Sequence, residues 1–261
     1  AVISGASSGI GLEIANSLAQ RGFNLVLTSR NETKLKEVAE TLRDKYKTQV
    51  DFIPTDLSKK ESPQIIYNFC TSKNYHIDYL VNNAGYGIST SFHETSMEDE
   101  EDFIRVLAIA IIALTKLFLP NMISNGNGKI MIVSSVAAFA PPSTIQALYG
   151  PIKTFMNRFS DALNTNYNHK GITSTAVCPG FTITNFHQSS GVQNEMDKVP
   201  NFMKFSAWQI AEEAVDATIK GKSLCIPTKT YRFLVFLLNI LPSSVLRLLE
   251  SSIAPGRYDK K

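Results

Sequence analysis

The chain has 261 residues, of which 44% are hydrophobic and 19% charged, and its formal net charge is +3. This length suits one large α/β domain and is short for two independent cores, so we expect a single domain over residues 1–261. The basic side chains are spread along the chain without forming a basic arm, which argues against nucleic acid as a partner.

The three cysteines, Cys70, Cys178 and Cys225, lie in apolar stretches without metal-ligand spacing. They are typical of buried free thiols and predict a reducing compartment, which we take to be the cytoplasm. The four histidines also lack such spacing, so we expect no metal site. The chain starts at Ala1 inside the pattern of a first strand, and we therefore expect a few residues before it.

Short β-branched runs alternate with longer helical patterns along the chain. Repeated units of this kind predict a parallel sheet covered on both faces, and right-handed crossovers make it doubly wound. The predicted elements of the first half are a strand ending near Ser4, a helix over about 9–21, a strand at 24–29, a helix at 32–46, a strand at 49–54, a helix at 62–73, a strand at 79–82, a long helix at 97–123 and a strand at 129–134. Those of the second half are a helix at about 149–167, a strand at 173–178 and a helix at 208–220.

Two segments fall outside this alternation. Residues 185–207 lack clear periodicity and carry scattered aromatic residues, which favours a mobile lid over a pocket, with an ordinary surface loop as the alternative. The tail over residues 231–252 is amphipathic and is predicted to wall an apolar pocket, to pack between subunits or to make weak contact with a membrane surface. Its apolar run, Phe233 to Leu241, is shorter than the roughly 20 residues of a membrane span.

Three glycines, Gly5, Gly9 and Gly11, lie where the first strand runs into the first helix. Small residues there let the backbone approach a pyrophosphate, and the helix N-terminus offers it unpaired N–H groups and a positive dipole end. The predicted contacts from this turn are Gly5, Ser7, Ser8, Gly9, Ile10 and Gly11.

Further motifs follow in register: Asn82-Asn83-Ala84-Gly85, the pair Tyr149 and Lys153, and Pro179-Gly180. In this order, and with the Gly-x-x-x-Gly-x-Gly turn, the chain resembles the classical short-chain dehydrogenase/reductase family over nearly its whole length. The resemblance implies a Rossmann-type fold and hydride transfer with a nicotinamide cofactor. It also implies cofactor contacts from Asp56, Leu57, Asn83, Ala84, Gly85, Pro179, Gly180, Ile183 and Thr184, although Asp56 also suits an ordinary helix cap.

The cofactor preference is predicted from the end of the second strand, where Ser29 and Arg30 should reach the adenosine ribose. An acidic residue there would favour NAD, whereas an arginine stabilises a 2′-phosphate by its charge and its bidentate fork. We therefore expect NADP(H) as the cofactor. The alternative is that Arg30 is only a solvated residue at a strand end.

Tyr149 and Lys153 are four residues apart, so on a helix their side chains share one face. A nearby ammonium lowers the pKa of a tyrosine, which then exchanges a proton with a carbonyl oxygen while hydride moves to the carbon. By resemblance Ser135 is the catalytic serine, with Ser134 as an alternative. Ser135 lies 14 residues before Tyr149 where the family usually has 13, so we expect one extra residue in the loop at 141–143.

One departure from the family lies in the long helix, where Ala110 aligns with a common asparagine. That asparagine usually supports a water that links the lysine to bulk solvent. The change predicts a slower proton relay or a relay by another route. The alternative is that the alignment is displaced by one residue. The alternative to an enzyme is therefore an NADP(H)-binding regulatory protein of the same fold with little turnover.

The long helix is apolar on nearly every face between Val106 and Leu119, which predicts burial of its outer side as well. Family members often pair through this helix and the tyrosine-bearing one, so we expect a homodimer or homotetramer, with cover from within the same chain as the alternative. The acidic run Glu98 to Asp102 suits a solvated helix start. The aromatic lid and the apolar tail favour a hydrophobic ketone or aldehyde as substrate.

Overall fold

Seven strands form one parallel sheet in the computed structural model, which describes residues 1–141, 147–184, 197 and 199–241. The strands of this sheet are β1 (Val2–Ser4), β2 (Leu25–Ser29), β3 (Val50–Pro54), β4 (Tyr79–Asn82), β5 (Gly128–Val133), β6 (Ile172–Val177) and β9 (Leu224–Cys225), and a separate parallel pair is formed by β7 (Thr182–Ile183) and β8 (Phe205–Ser206). The order in the large sheet is β3-β2-β1-β4-β5-β6-β9. The order reverses between β1 and β4, and ligands of such sheets bind at the carboxyl ends of the strands beside that point.

The helices lie on both faces of the sheet, so the predicted doubly wound α/β class is confirmed. They are α1 (Gly9–Gln20), α2 (Glu32–Tyr46), α3 (Ser62–Ser72), α4 (Met97–Ile104), α5 (Ala110–Ser124), α6 (Tyr149–Tyr167), α7 (Ala207–Ile219) and α8 (Lys229–Ile240). Alternate strand residues enter different cores: Ile3 packs with α1, α2 and α7, whereas Val2 packs with α3, α5 and α6. This alternation follows from the two-residue period of a strand.

The predicted long helix at 97–123 is interrupted. α4 is followed by a π-helical turn, Arg105–Ile109, and α5 begins after it. Within Met97–Ser124, an 18-residue window has a mean hydropathy of 2.1, so the stretch would suit a membrane span by length and composition alone. Its buried residues Leu107, Leu114 and Phe118 pack in the core beside the sheet, which accounts for the apolar composition.

The acidic run that starts α4 belongs to a cap. The Ser96 hydroxyl accepts a hydrogen bond from the Asp99 backbone at 3.1 Å, and the Asp99 carboxylate accepts one from the Ser96 backbone N–H at 3.3 Å. This reciprocal arrangement satisfies backbone N–H groups that an isolated helix start leaves unpaired.

The two irregular segments are described in part. Residues 185–196 and 198 of the predicted lid lie outside the described residues, while its end forms β8, and Ala207 already begins α7. The tail begins as α8, which buries Tyr231 and Val235 and exposes Phe233 and Phe236. Residues 242–252 lie outside the described residues.

Candidate active site

The turn after β1 has the backbone conformation that its glycines allow. Gly5 and Gly9 have φ of 68° and 58°, in the region that favours glycine. A methyl group on Gly5 would lie 2.8 Å from Asn83 Nδ2, and one on Gly11 would overlap both Asn83 Nδ2 and the Gly5 carbonyl. The turn therefore requires glycine at these positions for close packing as well as for any ligand.

Two side chains hold this turn against the end of β4. Asn83 Nδ2 donates to the Ser4 and Gly5 carbonyls at 3.0 and 3.1 Å. Ser4 Oγ donates to the Val81 carbonyl and accepts from the backbone N–H groups of Asn83 and Ala84. The Asn83 side chain thus faces the glycine turn, and Ser4, which sequence reasoning did not single out, links β1 to β4.

The start of α1 fits a pyrophosphate. Ser8 occupies the N-cap position with extended backbone, and its side chain makes no cap bond within the described part of the chain. The first N–H groups of the helix are therefore left to an anion that approaches over the glycines. Thr184 closes the turn from the other side, because a methyl group on Gly9 would lie 3.3 Å from its Cβ. The structure thus brings Gly9 and Thr184 together across the cleft.

At the end of β2, the Ser29 hydroxyl is buried without a hydrogen-bond partner among the described residues, and the next residue, Arg30, is exposed. A buried hydroxyl without a partner is unusual and fits a polar ligand group. The neighbouring Thr28 and Thr55 hydroxyls bond to each other and hold the ends of β2 and β3 together. A buried hydroxyl without a partner among the described residues, beside an exposed guanidinium, suits the ribose end of a dinucleotide.

The turn after β3 has a structural part as well. Asp56 Oδ1 accepts from the Ser58 backbone at 3.0 Å, so its carboxylate shapes the turn that precedes α3. Leu57 is 7% exposed and packs in the core, which leaves only its backbone for a ligand.

Tyr149 and Lys153 lie on the first turns of α6, as the spacing predicts. Lys153 Nζ lies 5.5 Å from the centre of the Tyr149 ring, and Tyr149 packs against Phe103 at 6.5 Å between ring centroids. The lysine is buried and donates to the Val133 carbonyl at 2.8 Å. Burial lowers the pKa of Lys153 from 10.5 to about 8, because desolvation disfavours the ammonium.

The two serines after β5 have different environments. Ser134 Oγ donates to the Lys153 carbonyl at 3.0 Å, so it ties the strand end to α6. Ser135 Oγ accepts from the Ala137 backbone at 3.1 Å, and this bond uses a lone pair only. Among the described residues the Ser135 hydroxyl donates to no acceptor, which fits Ser135 better than Ser134 as the group that polarises a carbonyl. The predicted extra loop residue lies partly at 142–143, outside the described residues.

The loop after β6 reaches the same cleft. Pro179 is buried and its carbonyl accepts from Val136 N–H at 3.0 Å, while Ile183 is 62% exposed. Gly180 packs against the ring of Tyr231 on α8, where an added methyl group would overlap the ring.

Tyr231 also fixes this loop through its hydroxyl, which accepts from Phe181 N–H at 2.9 Å and donates to the Met203 carbonyl at 2.8 Å. Sequence reasoning placed Tyr231 only in the amphipathic tail. Its position in an apolar stretch gave no signal for a role at the cleft, since its partners are backbone atoms distant in sequence.

Ala110, which the resemblance aligns with the family's asparagine, lies in an apolar environment. Ala110 is 1% exposed and lies in the core. On the preceding π-helical turn, Leu107 approaches Gly85: a methyl group added to Gly85 would lie 3.9 Å from the Leu107 Cγ. No asparagine side chain lies along the described stretch 97–120 of this helix. An asparagine that supports Lys153 would therefore have to come from another element.

Comparison with known proteins agrees with this geometry. Residues 1–195 match the sequence model of the family described as short chain dehydrogenase. The chain is 31% identical over 232 residues to the inactive hydroxysteroid dehydrogenase-like protein 1 of Homo sapiens, covering 88% of this chain and 67% of that protein. It is 34% identical over 189 residues to the very-long-chain 3-oxoacyl-CoA reductase-A of Danio rerio, covering 70% and 58%. The chain thus spans 58% to 67% of the length of these two relatives.

Solved structures show the same fold. A short-chain dehydrogenase from Sphingobium yanoikuyae in complex with NADPH superposes with a TM-score of 0.80 at 25% identity, covering 100% of this chain and 98% of that one. A bulky-bulky ketone specific alcohol dehydrogenase from Comamonas testosteroni superposes with a TM-score of 0.77 at 25% identity, covering 99% and 96%. With the glycine turn, the Tyr149–Lys153 pair and the family match in agreement, this chain belongs to the short-chain dehydrogenase/reductase family.

Proposed function

We propose that this protein is an NADPH-dependent reductase of hydrophobic ketones or aldehydes, with Tyr149 as the proton donor. The observation that carries the proposal is that Ser134 ties the end of β5, where Ser135 lies, to the first turns of α6, which carry Tyr149 and Lys153. This edge of the sheet carries three groups with different chemistry: a hydroxyl that donates to no other described residue, a phenol and a buried ammonium.

Each group has a defined task in this proposal. NADPH, when bound, supplies the hydride to the carbonyl carbon. Ser135 donates a hydrogen bond to the carbonyl oxygen, and Tyr149 gives that oxygen its proton. The Lys153 ammonium favours the phenolate that remains, because opposite charges attract strongly in a site shielded from water.

The preference for NADPH rests on Arg30 and Ser29. A guanidinium at the end of β2 attracts a 2′-phosphate, and the buried Ser29 hydroxyl has no other partner among the described residues. The NADPH complex of the Sphingobium yanoikuyae relative supports the same choice. Binding of NADPH and NADH, compared between the wild type and Arg30→Ala, tests it: loss of the preference in the variant is expected, and a preference for NADH in the wild type would refute it.

The hydrophobic substrate class rests on apolar side chains around the cleft. Ile183, just before the predicted lid segment, is 62% exposed, and Phe202 within that segment is 69% exposed. Exposed apolar residues beside a site are typical of a surface that receives an apolar ligand. The names of relatives, a very-long-chain 3-oxoacyl-CoA reductase and a bulky ketone dehydrogenase, fit the same class.

The test is NADPH oxidation by the purified protein against a panel of hydrophobic ketones and aldehydes, with polar sugars for comparison. Tyr149→Phe keeps the ring and removes the proton, so we expect it to bind NADPH and to lose at least about 100-fold in turnover. Activity confined to sugars would refute the substrate class, and full activity in Tyr149→Phe would refute the role of the tyrosine.

A second candidate is an NADP(H)-binding protein with little turnover. Two observations favour it: the helix beside Lys153 is apolar around Ala110, and a relative at 31% identity is named as inactive. Tight NADPH binding without turnover of any carbonyl in the panel would select this candidate over the reductase.

A further inference from the structure

α8 has an apolar outer face that the described part of the chain leaves uncovered. Three large side chains on it are more than half exposed, namely Phe233 (63%), Phe236 (57%) and Ile240 (58%). Their spacing of three and four residues places them on one side of the helix, opposite the buried Val235 and Leu238. An exposed apolar stripe of this kind marks a surface that meets a partner or a membrane.

Tyr231 joins this helix to the cleft. Its hydroxyl bonds to the backbones of Phe181 and Met203. Each of these two residues lies within two positions of an exposed apolar side chain, Ile183 or Phe202. The helix, the loop after β6 and the segment before β8 therefore form one hydrogen-bonded unit that carries apolar side chains at its surface.

The positive charge of the chain is concentrated around and after α8. Residues 220–261 contain eight basic and two acidic side chains, a net charge of +6, so the 219 residues before them carry −3 of the total of +3. Four of the eight basic residues lie in the 20 residues that follow Leu241. A second copy of the same face would bring two positive regions together, whereas anionic phospholipids would neutralise them.

Unpaired lysines lie beside the first turn of α8. Lys220 and Lys222 line a hollow together with Arg232 of this helix. The two carboxylates that also line it, Glu213 and Asp216, are each bonded to an arginine. The two lysines form no ion pair within the described part of the chain, so their charge is left for an external anion.

This face is distinct from the helices through which a homo-oligomer is expected. Polar contacts join α8 to Glu213 on α7, to the loop after β6 and to the segment before β8. α5 and α6 pack on the opposite face of the sheet from α7. An oligomer formed through α5 and α6 therefore does not require the outer face of α8.

We propose that the outer face of α8 docks on the surface of an anionic phospholipid bilayer. Phe233, Phe236 and Ile240 enter the boundary between headgroups and acyl chains, while Lys220 and Lys222 contact lipid phosphates. A helix that binds in this way lies in the plane of the membrane, and its affinity combines apolar burial with the attraction of basic side chains to anionic lipid. The docking is reversible, and it does not depend on the proposed reductase function.

Vesicle sedimentation tests the apolar part with the full chain. We expect the wild type to bind vesicles of about 70% phosphatidylcholine and about 30% phosphatidylglycerol, and to partition at least about 10-fold more weakly onto pure phosphatidylcholine. Phe233→Ser combined with Phe236→Ser should lower the partition coefficient on anionic vesicles at least about 10-fold, because two rings no longer leave water. Ile65→Ser combined with Phe92→Ser removes two side chains of 46% and 58% exposure elsewhere and should bind like the wild type.

Lys220→Glu combined with Lys222→Glu tests the electrostatic part. The partition coefficient on anionic vesicles should fall at least about 10-fold, and its dependence on salt should become weaker. Lys59→Glu combined with Lys60→Glu is the matched control, because it makes the same change in net charge at two exposed lysines before α3. This control should lose much less binding.

Fluorescence shows which face enters the lipid. The chain has one tryptophan, Trp208, so in a Trp208→Phe background the substitution Phe236→Trp supplies the sole indole. We expect lipids brominated on their acyl chains to quench its fluorescence on anionic vesicles. They should leave the fluorescence of Phe92→Trp in the same background unchanged.

Several outcomes would overturn the docking. They are a wild type that stays free of anionic vesicles, α8 variants that bind as tightly as their controls, and an indole at position 236 that is not quenched. A lower molecular mass of the Phe233→Ser, Phe236→Ser protein in light scattering would also overturn it, because a second copy would then cover this face. Reductase activity is measured separately by NADPH oxidation without lipid. If the double serine variant does not fold, the lysine variant and the quenching decide the question.

Discussion

Gly11 is needed in the turn after β1 both for close packing and for the placement of the helix N-terminus. Its Cα lies against Asn83 Nδ2 and the Gly5 carbonyl, so the first turn of α1 packs directly on the turn that precedes it. The close approach brings the N-terminus of α1 over the end of β1, where a pyrophosphate would lie.

We predict that Gly11→Ala destabilises the fold by about 1–3 kcal/mol, because the added methyl group cannot be placed without moving the backbone or Asn83. NADPH affinity should fall at least about 10-fold for the same reason. Urea unfolding and nucleotide titration measure the two effects. Gly85→Ala is the control for stability, since its methyl group would meet nothing closer than 3.9 Å, and equal unfolding free energies for the two variants would contradict the prediction.

Lys153 makes stability depend on pH. Burial lowers its pKa from 10.5 to about 8, so below about pH 8 the lysine is protonated in both the folded and the unfolded chain. Between about 8 and 10.5 the unfolded chain binds a proton that the folded protein does not. The free energy of unfolding therefore rises with pH in this window, by up to about 1.4 kcal/mol per pH unit from this residue.

We predict that the unfolding free energy of the wild type, measured relative to Lys153→Met, increases between pH 8 and pH 10. The difference between the two proteins removes the contribution of the other titrating groups, which both share. Denaturant unfolding at several pH values measures it. A difference that stays flat, or falls, over this range would mean that the lysine is not buried as an unpaired ammonium.

At the scale of elements, the loop after β6 is held by α8 through one residue. Tyr231 contacts Gly180 with its ring and bonds to the backbones of Phe181 and Met203 with its hydroxyl. The far helix thereby positions the residues that precede Ile183 and Thr184 at the cleft.

We predict that Tyr231→Phe lowers the free energy of unfolding by about 1–3 kcal/mol, because the partly buried N–H of Phe181 and carbonyl of Met203 lose this hydroxyl. The KM for NADPH should rise as the loop loosens. Thermal unfolding and steady-state kinetics measure these effects. Tyr167→Phe, a half-buried tyrosine at the end of α6, is the control, and a Tyr231→Phe protein indistinguishable from it would contradict the role of the hydroxyl.

Most strands and helices were predictable because their signals are local. The β-branched apolar residues of Val2–Ser4 and the helical spacing in Glu32–Tyr46 are visible in the sequence itself. The Tyr149–Lys153 pair was predictable for the same reason, since a helix places residues four apart on one face.

The unpredicted features depend on contacts distant in sequence. Ser4 and Asn83 pair across the sheet, Tyr231 reaches the cleft from α8, and the break at 105–109 carries no glycine or proline. The two-residue strand β9 was also missed, because two residues are too few to show a period. Pairing with β6, rather than local sequence, makes it a strand.

At the scale of the whole molecule, two exposed apolar side chains mark an outer face. Ile109 on the π-helical turn is 47% exposed and Phe155 on α6 is 50% exposed, and these two elements contact each other. The burial that the all-round apolar helix predicts is therefore incomplete within one chain, which supports the proposed homo-oligomer.

We predict that the wild type is a dimer or tetramer, and that Ile109→Glu combined with Phe155→Glu gives a smaller species, because charges are poorly tolerated in a buried interface. Light scattering after size-exclusion chromatography measures the mass. Ile65→Glu, on the exposed side of α3 and 46% exposed in the wild type, is the control. A monomeric wild type, or equal masses for all three proteins, would refute the interface.

The π-helical turn at 105–109 has a consequence for insertions and deletions. A π turn holds one residue more than the α-helical ladder requires, and each residue of a helix corresponds to a rotation of about 100°. Deleting one residue there would restore an unbroken α-helix but would rotate the residues before the turn about the helix axis. Phe103 would then move away from the Tyr149 ring that it now contacts. The rotational phase of this helix, rather than any single side chain on it, therefore determines which residue packs against the Tyr149 ring.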